Sequence, residues 1–141
     1  MTSWRLALRR RRDARRRTAH ARRTGKAVRA LIDAADSANA ARIAALLSDR
    51  STLTIDAGAH PAEPSTAPLP GPMATAVELL KLLDTFPDRT LIEREVNGTA
   101  GIVVRSRDRV VGVISVALRG SAITQLWAVT NPDKLAHWNR S

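Results

Sequence analysis

The stretch that decides the fold is residues 91–135, LIEREVNGTAGIVVRSRDRVVGVISVALRGSAITQLWAVTNPDKL. From Leu91 onward, apolar residues tend to recur at every second position, the period of a pleated strand. Turn signals at Asn97-Gly98, Arg107-Asp108-Arg109 and Gly120-Ser121 cut the run into four strands. Connections this short join antiparallel neighbours, so a meander is expected. The strand from Val110 to Leu118 offers Val110, Ile114, Val116 and Leu118 on one face and Val111, Val113 and Ala117 on the other. Cover is therefore expected on both sides of it. The stretch ends in a helix start, with Asn131 as the cap, Pro132 in the first turn and Asp133 favourable to the helix dipole.

Working back from this sheet, helical spacing begins after Gly25, where Val28, Leu31, Ile32 and Ala35 recur at three- and four-residue steps. Asp36-Ser37 supplies oxygens able to cap a second helix whose stripe is Ala40, Ile43, Leu46 and Leu47. Ser51 to Asp56 alternates as a half-buried strand, and Ala57-Gly58-Ala59-His60 follows as a turn. Residues 61–72 hold five of the seven prolines and are expected to be an extended loop. A third helix starts near Pro72 and carries Val77, Leu79, Leu80, Leu82, Leu83 and Phe86. The expected class is α+β, with three helices on the concave face of a curved, mainly antiparallel sheet. The opposite face is left for a partner or a second copy.

The chain has 141 residues and no cysteine, so one core held by packing is expected, without disulfides or thiolate metal sites. Its net charge of +10 is concentrated at one end: residues 1–29 carry 12 of the 23 basic residues and only one acid, Asp13. This divides the chain into an arginine-rich arm, residues 1–25, and a nearly neutral domain, residues 26–141. The arm places Arg9, Arg10, Arg11, Arg12, Arg15, Arg16 and Arg17 in dense succession, with guanidinium groups falling on every side of a helical wheel. Three readings stand for it: a solvated, disordered or frayed helical tail, a nonspecific nucleic-acid contact through phosphate, and an organelle transit peptide, for which four consecutive arginines are denser than usual. Neither a membrane span nor a signal peptide is legible, which leaves the cytoplasm as the expected compartment.

Catalytic chemistry finds little support. A proton-abstracting site needs a carboxylate base and a donor to hold the enolate oxygen, and the chain has no tyrosine. Asp56, Asp84 and Asp88 read as solvated turn or helix-end residues. The three histidines, His20, His60 and His137, have no partner at metal-ligand spacing, and His60 reads as an exposed loop residue. Phosphate loops and nucleophile elbows are absent, so neither catalytic residues nor a metal nor a cofactor is expected.

Val96-Asn97-Gly98, Gly101-Ile102-Val103-Val104-Arg105, Val110-Val111-Gly112-Val113 and the ending Trp127-Ala128-Val129-Thr130-Asn131-Pro132-Asp133-Lys134-Leu135 carry a resemblance. Over residues 26–138 the chain resembles the SnoaL-like extension fused behind extracytoplasmic-function sigma factors, a branch of the nuclear transport factor 2-like cone. The resemblance implies a non-catalytic regulatory module with a sigma factor or RNA polymerase as partner. It also implies a loop at Asp56, Gly58 and His60, where the family's Asp-Gly-Gly-Gly-Lys has lost its lysine and two glycines. The alternative on the same fold is a small-molecule-binding protein or an isomerase or cyclase. Trp127, Asn131, Asp133, Lys134 and Trp138 are the candidate docking surface, with structure alone as the other account of the two tryptophans. Homodimerisation through the open sheet face is a further expectation.

If about six arginines of the arm meet phosphate, log affinity for DNA falls against log salt with a slope near −5. A salt titration of binding checks this, and a flat response removes nucleic acid from the account.

Overall fold

The computed structural model describes residues 3–58 and 71–140. Helix α1 runs unbroken over Ser3–Asp36, and a short α2, Ala40–Ala44, leads into strand β1, Leu47–Asp56. After α3, Pro72–Asp84, come β2 at Thr90–Val96, β3 at Thr99–Ser106, β4 at Arg109–Arg119 and β5 at Ala122–Val129. The described chain closes with α4, Pro132–Leu135, and a 3-10 turn, Ala136–Asn139. The sheet order is β1-β5-β4-β3-β2. The last four strands form the expected antiparallel meander, while β1 pairs parallel to β5 at one edge. Parallel pairing here requires the chain to cross the concave face, which α3 does before β2 begins at the opposite edge.

The turns are made as their residues dictate. Asn97 and Gly98 take φ of 53° and 85°, and Arg107 and Asp108 take 52° and 64°, the left-handed pairs that match strand twist in two-residue hairpins. Residues one pleat apart then face opposite ways. Leu53, Leu91, Ile102, Val104, Ile114, Leu126 and Ala128 point at the helices and meet Val28, Leu31 and Ala35 of α1 and Leu79 and Leu83 of α3 in one buried core. On the other face Val103, Val113 and Val129 form a cross-strand row. They join a smaller cluster with Val96, Val110, Leu135 and Trp138. The C-terminal turn is gripped there by Asn139, whose amide donates to Val110 O at 3.0 Å and accepts from Val110 N at 2.8 Å.

Several expectations need correction. The cap of α2 is Asn39, whose side chain accepts from Arg42 N, because α1 continues through Asp36 and Ser37 bonds back to Ala34 O. The second helix is correspondingly short, and Leu47 already belongs to β1, where it pairs with Ile123. Strand β4 is covered on both faces only along its first half; Ala117 is exposed, because the C-terminal turn reaches no further. Most of the proline-rich loop, with His60, lies outside the described residues. No helix among the described residues is long and apolar enough to cross a membrane.

Gly101 shows how tightly the hairpin face is packed, since a Cβ there would lie 2.7 Å from Val96 Cγ2 and 2.9 Å from the backbone oxygen of Ile114. Gly101→Ala is expected to cost about 1–3 kcal/mol by overpacking. Urea denaturation checks this, and an unchanged midpoint would show that β3 and β4 yield without strain.

Candidate functional site

The C-terminal motif and the end of β1 are built into one junction. Asp56 is the last residue of β1 and stands in register with Val129, so its side chain lies on the face away from α1 and α3. Its carbonyl accepts from Thr130 N at 2.8 Å and Asn131 N at 3.1 Å, carrying the pairing past the end of β5. Asn131 then caps α4 by accepting from Asp133 N at 3.1 Å. Gly58, at φ 95°, leaves room for this cap: a Cβ there would come within 2.6 Å of the Asn131 side chain. From the first turn of α4, Lys134 reaches back and forms an ion pair with the Asp56 carboxylate. The Asp56 side chain is only 6% exposed, against 61% for Lys134, so Lys134 supplies the cation for an otherwise buried charge.

This overturns the reading of Asp56 as a solvated turn residue. Its position in the register places it under α4, and the junction closes over it. Asp84 is exposed at the end of α3, 3.4 Å from Arg89. Asp88 is exposed beside the β3–β4 turn, where Ser106 Oγ donates to its Oδ1 at 2.5 Å. That hydrogen bond, with smaller contributions from its backbone amide and from Arg107, holds the Asp88 carboxyl below the usual carboxylate range. Nothing in the sequence pointed to the Ser106 partnership, because it depends on the β3–β4 turn coming back beside the loop after α3.

The candidate docking residues share the sheet face opposite the helices. Trp127 of β5 stands between its register partners Thr54 and Ser115, two residues from Val129, and is 41% exposed. Trp138 is half-buried against the Val103–Val113 cluster, and its ring centre lies 5.3 Å from that of His137. Asp133 is exposed beside Lys134, while Asn131 is committed to the cap and to Gly58. The structure thus assembles an exposed tryptophan, a paired lysine and a second, packed tryptophan on one surface.

Beside an open cleft of about 460 Å³, lined by Phe86, Val111, Thr130 and Leu135 among others, lies a smaller cavity between α3 and the sheet. It is lined by Leu82, Leu83, Phe86, Val104 and Ile114 among others and measures about 10 Å³. That is at the lower limit for one water and far below the roughly 300 Å³ at which ligand pockets begin. The arm contributes Arg9, Arg10, Arg11, Arg12, Arg15, Arg16 and Arg17 as exposed residues of α1. Between α1 and the β2–β3 hairpin lies an open groove of about 920 Å³, with Arg16, Arg17 and His20 facing Arg94 and Glu95. Arg29 closes its inner end on Glu93 at 3.2 Å. Among the described residues no acidic or histidine side chains gather in a metal-binding group.

Similarity in structure settles the fold. The extracytoplasmic function sigma factor SigJ of Mycobacterium tuberculosis matches over 92% of this chain, at 19% identity and a TM-score of 0.58. The fold is SnoaL-like. A SnoaL-like isomerase candidate from Agrobacterium tumefaciens matches over 77% of this chain and 97% of its own, at 12% identity and a TM-score of 0.53. IdmH of Streptomyces antibioticus, a candidate polyketide cyclase, matches over 81% of this chain and 96% of its own, at 14% identity and a TM-score of 0.53. The chain spans about half, 49%, of the SigJ chain it matches. No family model and no curated protein matches the sequence.

The junction makes a thermodynamic prediction. Lys134→Ala leaves the buried Asp56 carboxylate without its cation and is expected to cost about 1–3 kcal/mol, Asp56→Asn a similar amount. In the double variant the losses should fall short of the sum by about 0.5 kcal/mol or more. Denaturation of the four proteins closes the cycle, and strictly additive losses would show that the pair is not coupled.

Proposed function

We propose that the chain is a non-catalytic regulatory module that docks on a protein of the transcription apparatus, a sigma factor or RNA polymerase. The docking surface is the sheet face carrying Trp127, Asp133, Lys134 and the edge of Trp138. The observation that carries this reading is the sheet face on which Trp127 stands exposed with Lys134 and Trp138. The cavity between α3 and the sheet, about 10 Å³, gives a substrate of an isomerase or cyclase no room at that place.

Two further observations support the partner class. Residues 26–141 are about 82% of the chain, so a match over 92% reaches into the helix that precedes the domain. The likeness to SigJ therefore includes part of the arginine-rich segment, whereas the match to IdmH covers 81% and needs none of it. Trp127 adds an anchor of the right kind: a large aromatic held on a β-strand between the small side chains of Thr54 and Ser115. Rigid, exposed tryptophans are enriched among residues that dominate binding energy.

Trp127→Ala, at a side chain that is 41% exposed, is expected to lower stability by no more than about 1 kcal/mol. It should weaken binding to purified polymerase core or sigma factor about thirtyfold, corresponding to roughly 2 kcal/mol. Surface-immobilised full chain titrated with each partner measures this. Failure of the unaltered chain to bind either partner overturns the reading. Loss of a self-associated species in sedimentation on the same substitution would instead assign the face to a second copy.

A further inference from the structure

Helix α1 is a single rod of 34 residues with two different environments. From Thr24 to Ala35 it is anchored, burying Thr24, Gly25, Ala27, Val28, Leu31, Ala34 and Ala35. From Trp4 to Arg23 every residue is exposed except the half-buried Ala19, and Arg16, Arg17 and His20 face the β2–β3 hairpin across the open groove. At 1.5 Å per residue the free part is about 30 Å long. The anchored part also sets the phase of the free part, which a wheel drawn without it leaves undefined.

With 100° per residue, ten of the twelve basic residues of the first 29 fall within an arc of about 160°. Only Arg10 and Arg17 lie outside it. Arg5, Arg9, Arg12, Arg16 and Arg23 run down one side of it at steps of four, three, four and seven. The centre of the arc lies opposite Val28 and Ala35, and its Arg9–Arg16 edge is in phase with the buried Ala27 and Ala34. In the free segment eight of the ten arginines thus share one broad exposed face, which also carries Trp4 and Leu8, in place of the all-round distribution read from composition.

We propose that this free segment of α1 binds duplex DNA by lying in the major groove, contacting phosphates on both sides without reading sequence. The shapes agree. A helix with its side chains is about 10–12 Å wide, and the major groove of B-form DNA is about 12 Å wide. The length of the free rod is close to one turn of the duplex, about 34 Å. An arginine face broader than a third of the circumference reaches both flanking phosphate rows, where a narrow stripe would reach one. Repulsion between the i,i+4 pairs Arg5–Arg9, Arg11–Arg15 and Arg12–Arg16 works against the isolated helix, and a polyanion relieves it. The proposal rests on α1 alone and stands or falls apart from the docking of Trp127.

The geometry separates a rod from a sticky tail. Duplex RNA carries the same charge, but its major groove is too deep and narrow for a helix. Fluorescence anisotropy of the full chain with a 20-base-pair DNA duplex and the matching RNA duplex, at equal salt, is the test. The expected result is DNA bound at least tenfold more tightly than RNA, with helicity by circular dichroism rising on binding. Ala14→Pro, in the exposed part of the rod, keeps every charge and should bring the two affinities within about twofold. Arg9→Ser, Arg12→Ser and Arg16→Ser combined should reduce the salt slope by about 3, whereas Arg10→Ser with Arg17→Ser should change it less. Equal affinity for both duplexes, or a preference untouched by Ala14→Pro, overturns the rod and leaves an unshaped polycation. A salt-independent signal overturns nucleic acid altogether and points to a protein ligand. Trp127→Ala, carried through the same titration, should bind DNA as the unaltered chain does, which keeps the two proposals separable.

Discussion

Burial of Val28, Leu31 and Ala35 against the sheet is the contact on which the rest of the molecule depends. It lays α1 across β2, β3 and β4, fills the concave face from that side and leaves α3 to fill it from the β1 side. Fully burying side chains of this size contributes about 1.5–3 kcal/mol for each large one. The same contact holds the helix that carries the arginines. A segment too charged to fold on its own is thereby continued outward from a packed element, with its direction and rotational phase set by residues more than a turn away.

The second constraint is closure at the opposite corner, where β1 meets the end of β5. Backbone pairing alone would let β1 fray, since it is an edge strand with a register irregularity between Leu47 and Thr52. The Asp56 carbonyl, the Asn131 cap, the space at Gly58 and the Asp56–Lys134 pair together fasten that end. Their consequence for function is indirect: they fix α4 over the outer face and so determine which residues around Trp127 remain open. A buried carboxylate held by a lysine that is itself mostly exposed also ties the stability of the junction to anything that competes for Lys134.

Much of this was legible in residue order. Period-two patterning with Asn97-Gly98 and Gly120-Ser121 marks the meander because those turns demand left-handed backbone, and Asn131-Pro132-Asp133 marks α4 because each residue suits its place at a helix start. What was misread has physical causes. The cap of α2 was misplaced by two or three residues because Asp36, Ser37 and Asn39 are all competent caps, and where α1 stops decides among them. Asp56 read as solvated because a carboxylate before an Ala-Gly turn usually is; its burial depends on a lysine 78 positions later. The Ser106–Asp88 bond and the Asn139 grip on Val110 are likewise meetings of residues far apart in the chain, and carry no local signature.

Local chemistry, then, is what the amino-acid sequence determined by itself: where strands and turns lie, that no thiol or tyrosine is available, and that the charge is gathered at one end. These follow from backbone preference and composition, which need no knowledge of neighbours. How the space between α3 and the sheet closes was decided only by tertiary structure, because Leu82, Leu83, Phe86, Val104 and Ile114 narrow it jointly and none does so alone. The direction of the arginine face was decided there too, since a helix has no fixed rotation until one side of it is buried.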